Sequence, residues 1–338
     1  MTDKATRLVM MGTGSFARPI FTALLEAFPQ GVVGLVTQPS RHTGQTRSTT
    51  RLAGQPLVTL AQSHGLPVLQ PESINTPEAR AELERWQPDV LVVAAYGQIL
   101  SPQVLAIPRW GAVNVHASLL PRYRGAAPVA HAILQGDTQT GVTLIRMTPQ
   151  LDAGDILAQE AMPIEPDDST GSLEARLAEL GARLLVEWLQ RLHRGNLPPP
   201  LPQDPAQATR APKIRKSFGL IDWSQAPEYL ERFVRAMQPW PTAYTFLHQP
   251  GRPPQRWIIT RLQVGPEVPE SSPPAPPGTL LLPEEAPPGF PLAVRTGTGR
   301  LALITELQPA GKRRMSAAEF LRGHPLYPGA RLGPEQEH

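Results

Sequence analysis

Three side chains with complementary chemistry lie near the middle of the chain: an amide and an imidazole in Asn114-Val115-His116, and a carboxylate in Leu151-Asp152-Ala153-Gly154-Asp155. An amide N–H can donate to a developing oxyanion, and an imidazole moves protons near neutral pH. A neighbouring carboxylate orients the ring and supports its charge. The stretch Gly111-Ala112-Val113-Asn114-Val115-His116 reads as a buried strand, whose alternation sends Asn114 and His116 to one side and Val113 and Val115 into core. In a parallel sheet, sites form beyond the carboxyl ends of strands, and the expectation is that both His116 and Asp152 fall there. Asp155 is a rival carboxylate that spacing alone does not separate from Asp152.

Other chemistries fit less well. The 338 residues contain no cysteine, which removes disulfides, thiolate nucleophiles and Cys-based zinc sites. Ser118 lies near His116, but His116-Ala117-Ser118-Leu119-Leu120 is not a nucleophile elbow. No second histidine stands at ligand spacing from His116, so no metal is expected. Gly12-Thr13-Gly14-Ser15-Phe16-Ala17 formally matches a dinucleotide fingerprint, yet Val36-Thr37-Gln38-Pro39 offers no acid for a ribose. A tight strand-to-helix turn is the better reading. The remaining constellation suits a tetrahedral intermediate with no protein nucleophile, so the attacking group must come from a substrate.

The elements that position these residues follow from hydropathy patterning. Strands are expected at Leu8 to Met11, Val32 to Thr37, Val90 to Ala95, Ala112 to His116 and Val142 to Met147. Helical spacing falls at Phe16 to Phe28, Leu57 to His64, Pro77 to Trp86 and Pro128 to Gln135. A longer helix, Gly171 to His193, carries a packing stripe of Leu173, Leu177, Leu180, Leu184 and Leu185. This is the pattern of a Rossmann-like α/β domain over residues 1–194. A proline-rich linker, 195–212, contains Leu197-Pro198-Pro199-Pro200-Leu201-Pro202. Residues 213–330 then show one helix, Ser224 to Met237, and five short strand-like runs at Ala243 to Leu247, Trp257 to Val264, Leu280 to Leu282, Leu292 to Thr296 and Leu301 to Leu307. Such spacing suggests a small OB-like β-barrel.

Hydrophobic residues make up 41% of the chain, enough for two cores. No apolar run approaches a membrane span, and Met1-Thr2-Asp3-Lys4 lacks a signal-peptide pattern, so a soluble, cytoplasmic protein is expected. The net charge is +3, with 16 Lys and Arg against 11 Asp and Glu in residues 209–338. The clusters Lys213-Ile214-Arg215-Lys216 and Lys312-Arg313-Arg314 could meet phosphates.

At the central residues the chain resembles the folate-dependent formyltransferases. Asn114, His116 and Asp152 match that family, as do Leu119-Leu120-Pro121-Arg122-Tyr123-Arg124-Gly125-Ala126-Ala127-Pro128 and Val93-Ala94-Ala95-Tyr96-Gly97. In the second half, Ile221-Asp222-Trp223, Pro239-Trp240-Pro241 and Leu307-Gln308-Pro309-Ala310-Gly311-Lys312 are similar to the members that act on methionyl initiator tRNA. The resemblance implies that N10-formyltetrahydrofolate, as co-substrate, donates its formyl group to the amino group of methionine on that tRNA. It implies that Asn114 binds the formyl oxygen, His116 relays protons, and Asp152 supports His116 and the attacking amine. Ser118, Leu119, Leu120 and Pro121 match the folate-binding segment, and Ala95, Tyr96 and Gly97 are expected along the pterin pocket. Arg41, Arg47 and Arg51 are expected at the tRNA acceptor end, and the basic second domain, with Lys213, Lys216, Lys312 and Arg313, along its stem. A monomer is expected. Related activities on the same core are formyltetrahydrofolate hydrolysis and formyl transfer to sugar nucleotides. The chain departs from the family pattern in the 40–51 loop, which lacks a dense basic run after Gly-Arg-Gly, and in carrying Gly14 and Ala117 at positions usually held by proline and glycine.

Overall fold

The computed structural model describes residues 6–39, 55–268 and 273–336. Seven strands form the first sheet: β1 (Leu8–Gly12), β2 (Val32–Val36), β3 (Val68–Leu69), β4 (Val90–Ala94), β5 (Ala112–His116), β6 (Gln139–Arg146) and β7 (Ile156–Pro163). Their spatial order is β3-β2-β1-β4-β5-β6-β7. The first five are mutually parallel, whereas β6 is antiparallel to β5, with His116 opposite Thr143, and β7 is antiparallel to β6. The sheet is therefore Rossmann-like on one side and a hairpin on the other. β7 escapes sequence reading because, apart from buried Leu157, its residues alternate between half-buried and exposed and include Gln159, Glu160 and two alanines, a weak strand signal.

Helices α1 (Ala17–Ala27), α2 (Gln55–Ser63), α3 (Pro77–Arg85), α4 (Pro102–Leu105), α5 (Pro128–Gln135) and α6 (Thr170–His193) are interleaved with these strands. α3 begins as its sequence dictates: Thr76 Oγ1 accepts from the Ala79 N–H and Pro77 occupies the first turn. α6 buries the whole expected stripe of Leu173, Leu177, Leu180, Leu184 and Leu185. Gly181 lets this helix reach the sheet, since a Cβ there would collide with Val115. Gly12 does similar work at the end of β1, where any side chain would strike the Ala94 carbonyl and the Phe21 ring. The glycine turn is thus a packing device at a strand-to-helix junction.

The chain divides into two compact units. Met1–Val129, Thr138–Ile164 and Ser172–Lys213 form one, and Ala130–Asp137, Glu165–Gly171 and Ile214–His338 form the other. Two early segments join the second unit through named bonds. Arg232 Nε donates to the Leu134 carbonyl, Arg235 to the Asp168 carbonyl, and Thr170 Oγ1 to the Ala236 carbonyl.

The second unit holds a nearly closed antiparallel sheet of β8 (Ala243–His248), β9 (Gln255–Glu267), β10 (Ala293–Arg295), β11 (Arg300–Pro309), β12 (Met315–Ser316) and β13 (Arg331–Gly333). Helices α7 (Pro227–Ala236) and α8 (Ala317–Gly323) accompany it. Trp257, fully buried, meets Phe320 edge-on at 4.7 Å between centroids, so α8 is packed on β9 by an aromatic pair. Leu280 to Leu282 makes only an isolated bridge, Leu280 to Val294. α7 starts at Pro227, three residues later than its apolar pattern suggests, because Asp222 holds Ser224 and Gln225 in a turn through its carboxylate. Those bonds keep the Asp222 carboxyl below its ordinary range.

Candidate active site

Alternation along β5 places Asn114 and His116 on one face, while the Val115 side chain lies beside Gly181 of α6. His116 is 5% exposed. Its Nε2 lies 3.0 Å from the Tyr123 carbonyl oxygen. A carbonyl only accepts, so Nε2 carries the hydrogen and Nδ1 is the nitrogen left to take a proton. Nδ1 faces Asp152 Oδ2 at 3.7 Å. That gap is longer than a hydrogen bond, and a proton-bearing group could bond to both atoms.

Asp152 is held at both carboxylate oxygens. Its Oδ2 accepts from the Gly125 N–H at 2.9 Å and its Oδ1 from Asn114 Nδ2 at 3.4 Å, while its backbone adopts φ 49°. A carboxylate thereby links the two functional side chains of β5. Asp152 does lie at the carboxyl end of β5, beside His116, although the strand that precedes it, β6, runs antiparallel to β5 and ends beside Val113. Asp152 returns toward β5 on the 147–155 loop. Gly154 allows that return, since a Cβ there would run into the Arg146 carbonyl. Asp155 takes another part: its backbone carbonyl accepts from the Arg146 N–H at the mouth of the hairpin. No bond joins its carboxylate to Asn114 or His116 among the described residues.

Residues Ser118 to Pro121 are tied down just after β5. Ser118, fully buried, donates through Oγ to the Arg122 carbonyl at 2.7 Å, while its own carbonyl accepts from Thr143 Oγ1. Thr143 also accepts from the Leu120 N–H, and Gln159 Nε2 donates to the Leu120 carbonyl and to Thr143 Oγ1. Ser118 therefore shapes the segment through its hydroxyl, and Leu119 and Pro121 keep partial exposure. Beyond β4, Ala95 (φ 48°) and Gly97 (φ 80°) are exposed. The Tyr96 ring turns into the core among Val93, Ile74 and Leu100, and its carbonyl accepts from Gln38 Nε2. Burial pushes the Tyr96 phenol above its usual 10.0, and its hydroxyl has no hydrogen-bond partner among the described residues.

Lys213 belongs to the first unit and Lys216 to the second, both exposed. Lys216 borders a groove of about 880 Å³ with Tyr244, Arg252, Arg256, Phe320 and His324. Lys312 and Arg313 are exposed on the turn after β11, and Arg313 pairs with Glu319. Arg41, Arg47 and Arg51 lie outside the described residues. Among the described residues no cluster of three His, Asp or Glu could hold a metal ion, and no helix is long and apolar enough to cross a membrane.

Four groups escape sequence reasoning. The Tyr123 carbonyl and Gly125 N–H touch the central triad, and Gln203 and Thr209 bond to the segments that carry it. Gly125 carries a weak signal as the glycine closing Arg122-Tyr123-Arg124-Gly125. Gln203 and Thr209 carry none, because bonds to backbone groups leave no pattern in a proline-rich stretch.

Family models agree with this architecture. The model for "Formyl transferase" matches residues 6–189, and that for "Formyl transferase, C-terminal domain" matches residues 213–325. Methionyl-tRNA formyltransferase of Geobacillus thermodenitrificans is 44% identical over 334 residues, covering 98% of this chain and 99% of the relative. That of Methylococcus capsulatus is 45% identical, covering 97% and 99%. Among solved structures, an N-formyltransferase from Helicobacter canadensis, in complex with folinic acid and dTDP-3-aminofucose, shares the fold with a TM-score of 0.61 at 16% identity, covering 88% of this chain and 98% of that one. HypX from Aquifex aeolicus in complex with tetrahydrofolic acid aligns with a TM-score of 0.57 at 18% identity, covering 94% of this chain and 47% of the larger protein. With both domain models matched in order and such identity along nearly its whole length, the chain belongs to the methionyl-tRNA formyltransferase family.

Proposed function

We propose that the protein transfers the formyl group of N10-formyltetrahydrofolate to the amino group of methionine on initiator tRNA. The observation that carries the reading is the convergence of Asn114, His116 and Asp152, in a chain without cysteine and with the nearby Ser118 hydroxyl committed to the Arg122 carbonyl. An incoming amine can supply the missing nucleophile. Its lone pair attacks the formyl carbon, the carbon–N10 bond breaks, and the proton lost by the amine is balanced by one gained at N10. Asn114 Nδ2 donates to the oxygen that becomes negative in the tetrahedral intermediate. His116 Nδ1 holds the proton in transit, and Asp152 stabilises the imidazolium and accepts from the attacking amine.

The donor binds along Ser118 to Pro121 and the Ala95–Gly97 turn. The buried bonds of Ser118 and Thr143 support this placement, since they hold the first segment rigidly just beyond His116. The acceptor tRNA meets Arg41, Arg47 and Arg51 and the exposed lysines and arginine at 213, 216, 312 and 313. The protein acts as a monomer in the cytoplasm. The deciding experiment is transfer of labelled formyl from N10-formyltetrahydrofolate to methionyl initiator tRNA. Formate release without tRNA, or transfer to an amino-sugar nucleotide in its place, would overturn the assignment in favour of a related activity.

A further inference from the structure

Residues 195–212 read as a proline-rich spacer, yet Leu201, Gln203, Thr209 and Ala211 are all bonded to the catalytic unit. Leu201 exchanges backbone hydrogen bonds with Ile156 at 2.8 and 2.9 Å. Gln203 Oε1 accepts from Arg124 Nε at 3.0 Å and Nη2 at 2.7 Å. Gln203 Nε2 donates to the Asp152 carbonyl at 2.9 Å and the Gly154 carbonyl at 2.7 Å. Only one orientation of the amide satisfies all of these bonds, because a guanidinium cannot accept and a carbonyl cannot donate. Gln203 is therefore a two-ended clamp between the Asp152 turn and Arg124.

Farther along, Thr209 grips the segment that touches His116. Its Oγ1 accepts from the Tyr123 N–H at 2.8 Å, and its carbonyl accepts from the Arg124 N–H at 2.8 Å. The Ala211 N–H then donates to the Arg124 carbonyl at 2.8 Å, and its carbonyl accepts from the Ala127 N–H. Tyr123 adopts φ 61° and Asp152 φ 49°, conformations that side-chain-bearing residues keep only when their surroundings enforce them. Both strained residues are held by this one strap.

We propose that residues 203–211 are a working part of the active site, in which Gln203 and Thr209 are positioning residues for Asp152 and His116. Gln203 fixes the Asp152 turn by its backbone, and Thr209 fixes the Tyr123 carbonyl that sets the His116 tautomer. Gly125, whose N–H binds Asp152 Oδ2, lies between the two anchored points Arg124 and Ala127. The strap thus completes a ring of hydrogen bonds around the triad, and the segment leading to the second unit is coupled to catalytic geometry.

This inference rests on the proposed formyl transfer, and its test separates the two. In the full chain, Gln203→Glu keeps an acceptor for Arg124 but sets carboxylate oxygen against two carbonyls. Gln203→Ala removes both ends. Thr209→Val removes the acceptor for Tyr123 N–H, and Thr209→Ser keeps it. The expected result is a fall in kcat on the order of 100-fold for Gln203→Glu, Gln203→Ala and Thr209→Val, as for a catalytic group displaced by about 1 Å. KM for both substrates and the melting temperature should stay near the parent values, Thr209→Ser should restore kcat, and the His116 ring signals should shift by NMR in the impaired variants. Parent-like kcat in Gln203→Glu, or a loss confined to KM, would overturn the positioning role while leaving the transfer reaction standing. A parent chain that transfers no formyl group would overturn both.

Discussion

Replacing Asp152 by asparagine isolates the charge of one residue with little change of shape. Asp152 Oδ2 faces His116 Nδ1 at 3.7 Å, and the two side chains are 10% and 6% exposed, so solvent screens the pair weakly. Across that distance an imidazolium and a carboxylate attract by about 4 kcal/mol at an effective dielectric constant of about 20. The asparagine oxygen can still accept from the Gly125 N–H, which preserves the loop. Its NH2 then faces Asn114 Nδ2, a donor against a donor, where the carboxylate had accepted. If His116 becomes positive in the transition state, most of the attraction is lost from the barrier, and kcat should fall about 10³-fold at roughly 1.4 kcal/mol per decade. Single-turnover transfer of labelled formyl to methionyl initiator tRNA reads this directly, with tRNA affinity and melting temperature as controls. A kcat close to that of the parent would show that the carboxylate carries no charge-stabilising role and would refute the geometry-based assignment.

Asn114→Ala removes a donor aimed at the oxyanion and should cost about 2.7–4 kcal/mol in kcat with little change in tRNA affinity, checked by the same assay. Tyr96→Phe tests the buried phenol, whose ionisation is displaced upward by desolvation. The unfolded chain loses that proton first as pH rises through the usual value, so the folded state is fully favoured below about pH 10 and weakens above it. Denaturant titration should show that alkaline slope shrinking in Tyr96→Phe, and stability near neutrality rising by about 1 kcal/mol as a buried hydroxyl with no partner among the described residues is removed. Neutralising Lys213 or Lys216 should weaken tRNA binding and reduce the salt slope of log K by about one unit for each phosphate no longer neutralised; an unchanged slope would make them ordinary solvated surface.

Much of the scaffold is legible because it rests on local periodicity. Strands β1, β2, β4 and β5, the leucine stripe of α6 and the shared face of Asn114 and His116 all follow from spacings of two or three to four residues. Strand direction and edge character do not show. β6 reads as a strand in either orientation, so its reversal against β5 leaves no trace in hydropathy. At the two edges of the sheet, β3 is too short to set up a period, and in β7 the apolar run Ile156-Leu157-Ala158 is too short to mark a strand. Within the site, spacing treats Asp152 and Asp155 alike. They part because residues 147–155 fold back toward β5 before Asp155 joins the hairpin through its carbonyl.

The sequence alone therefore determined the chemistry available: an amide, an imidazole and a carboxylate, no thiol, and a basic second half suited to a polyanion. Tertiary structure decided which nitrogen of His116 receives a proton, which carboxylate faces it, and what holds both in place. The reason is physical. Side-chain type and short-range alternation are written residue by residue, whereas the Tyr123 carbonyl, the Gly125 N–H and the Gln203 clamp act through bonds spanning 7 to 51 positions, with two of the three supplied by backbone groups that every sequence has in common.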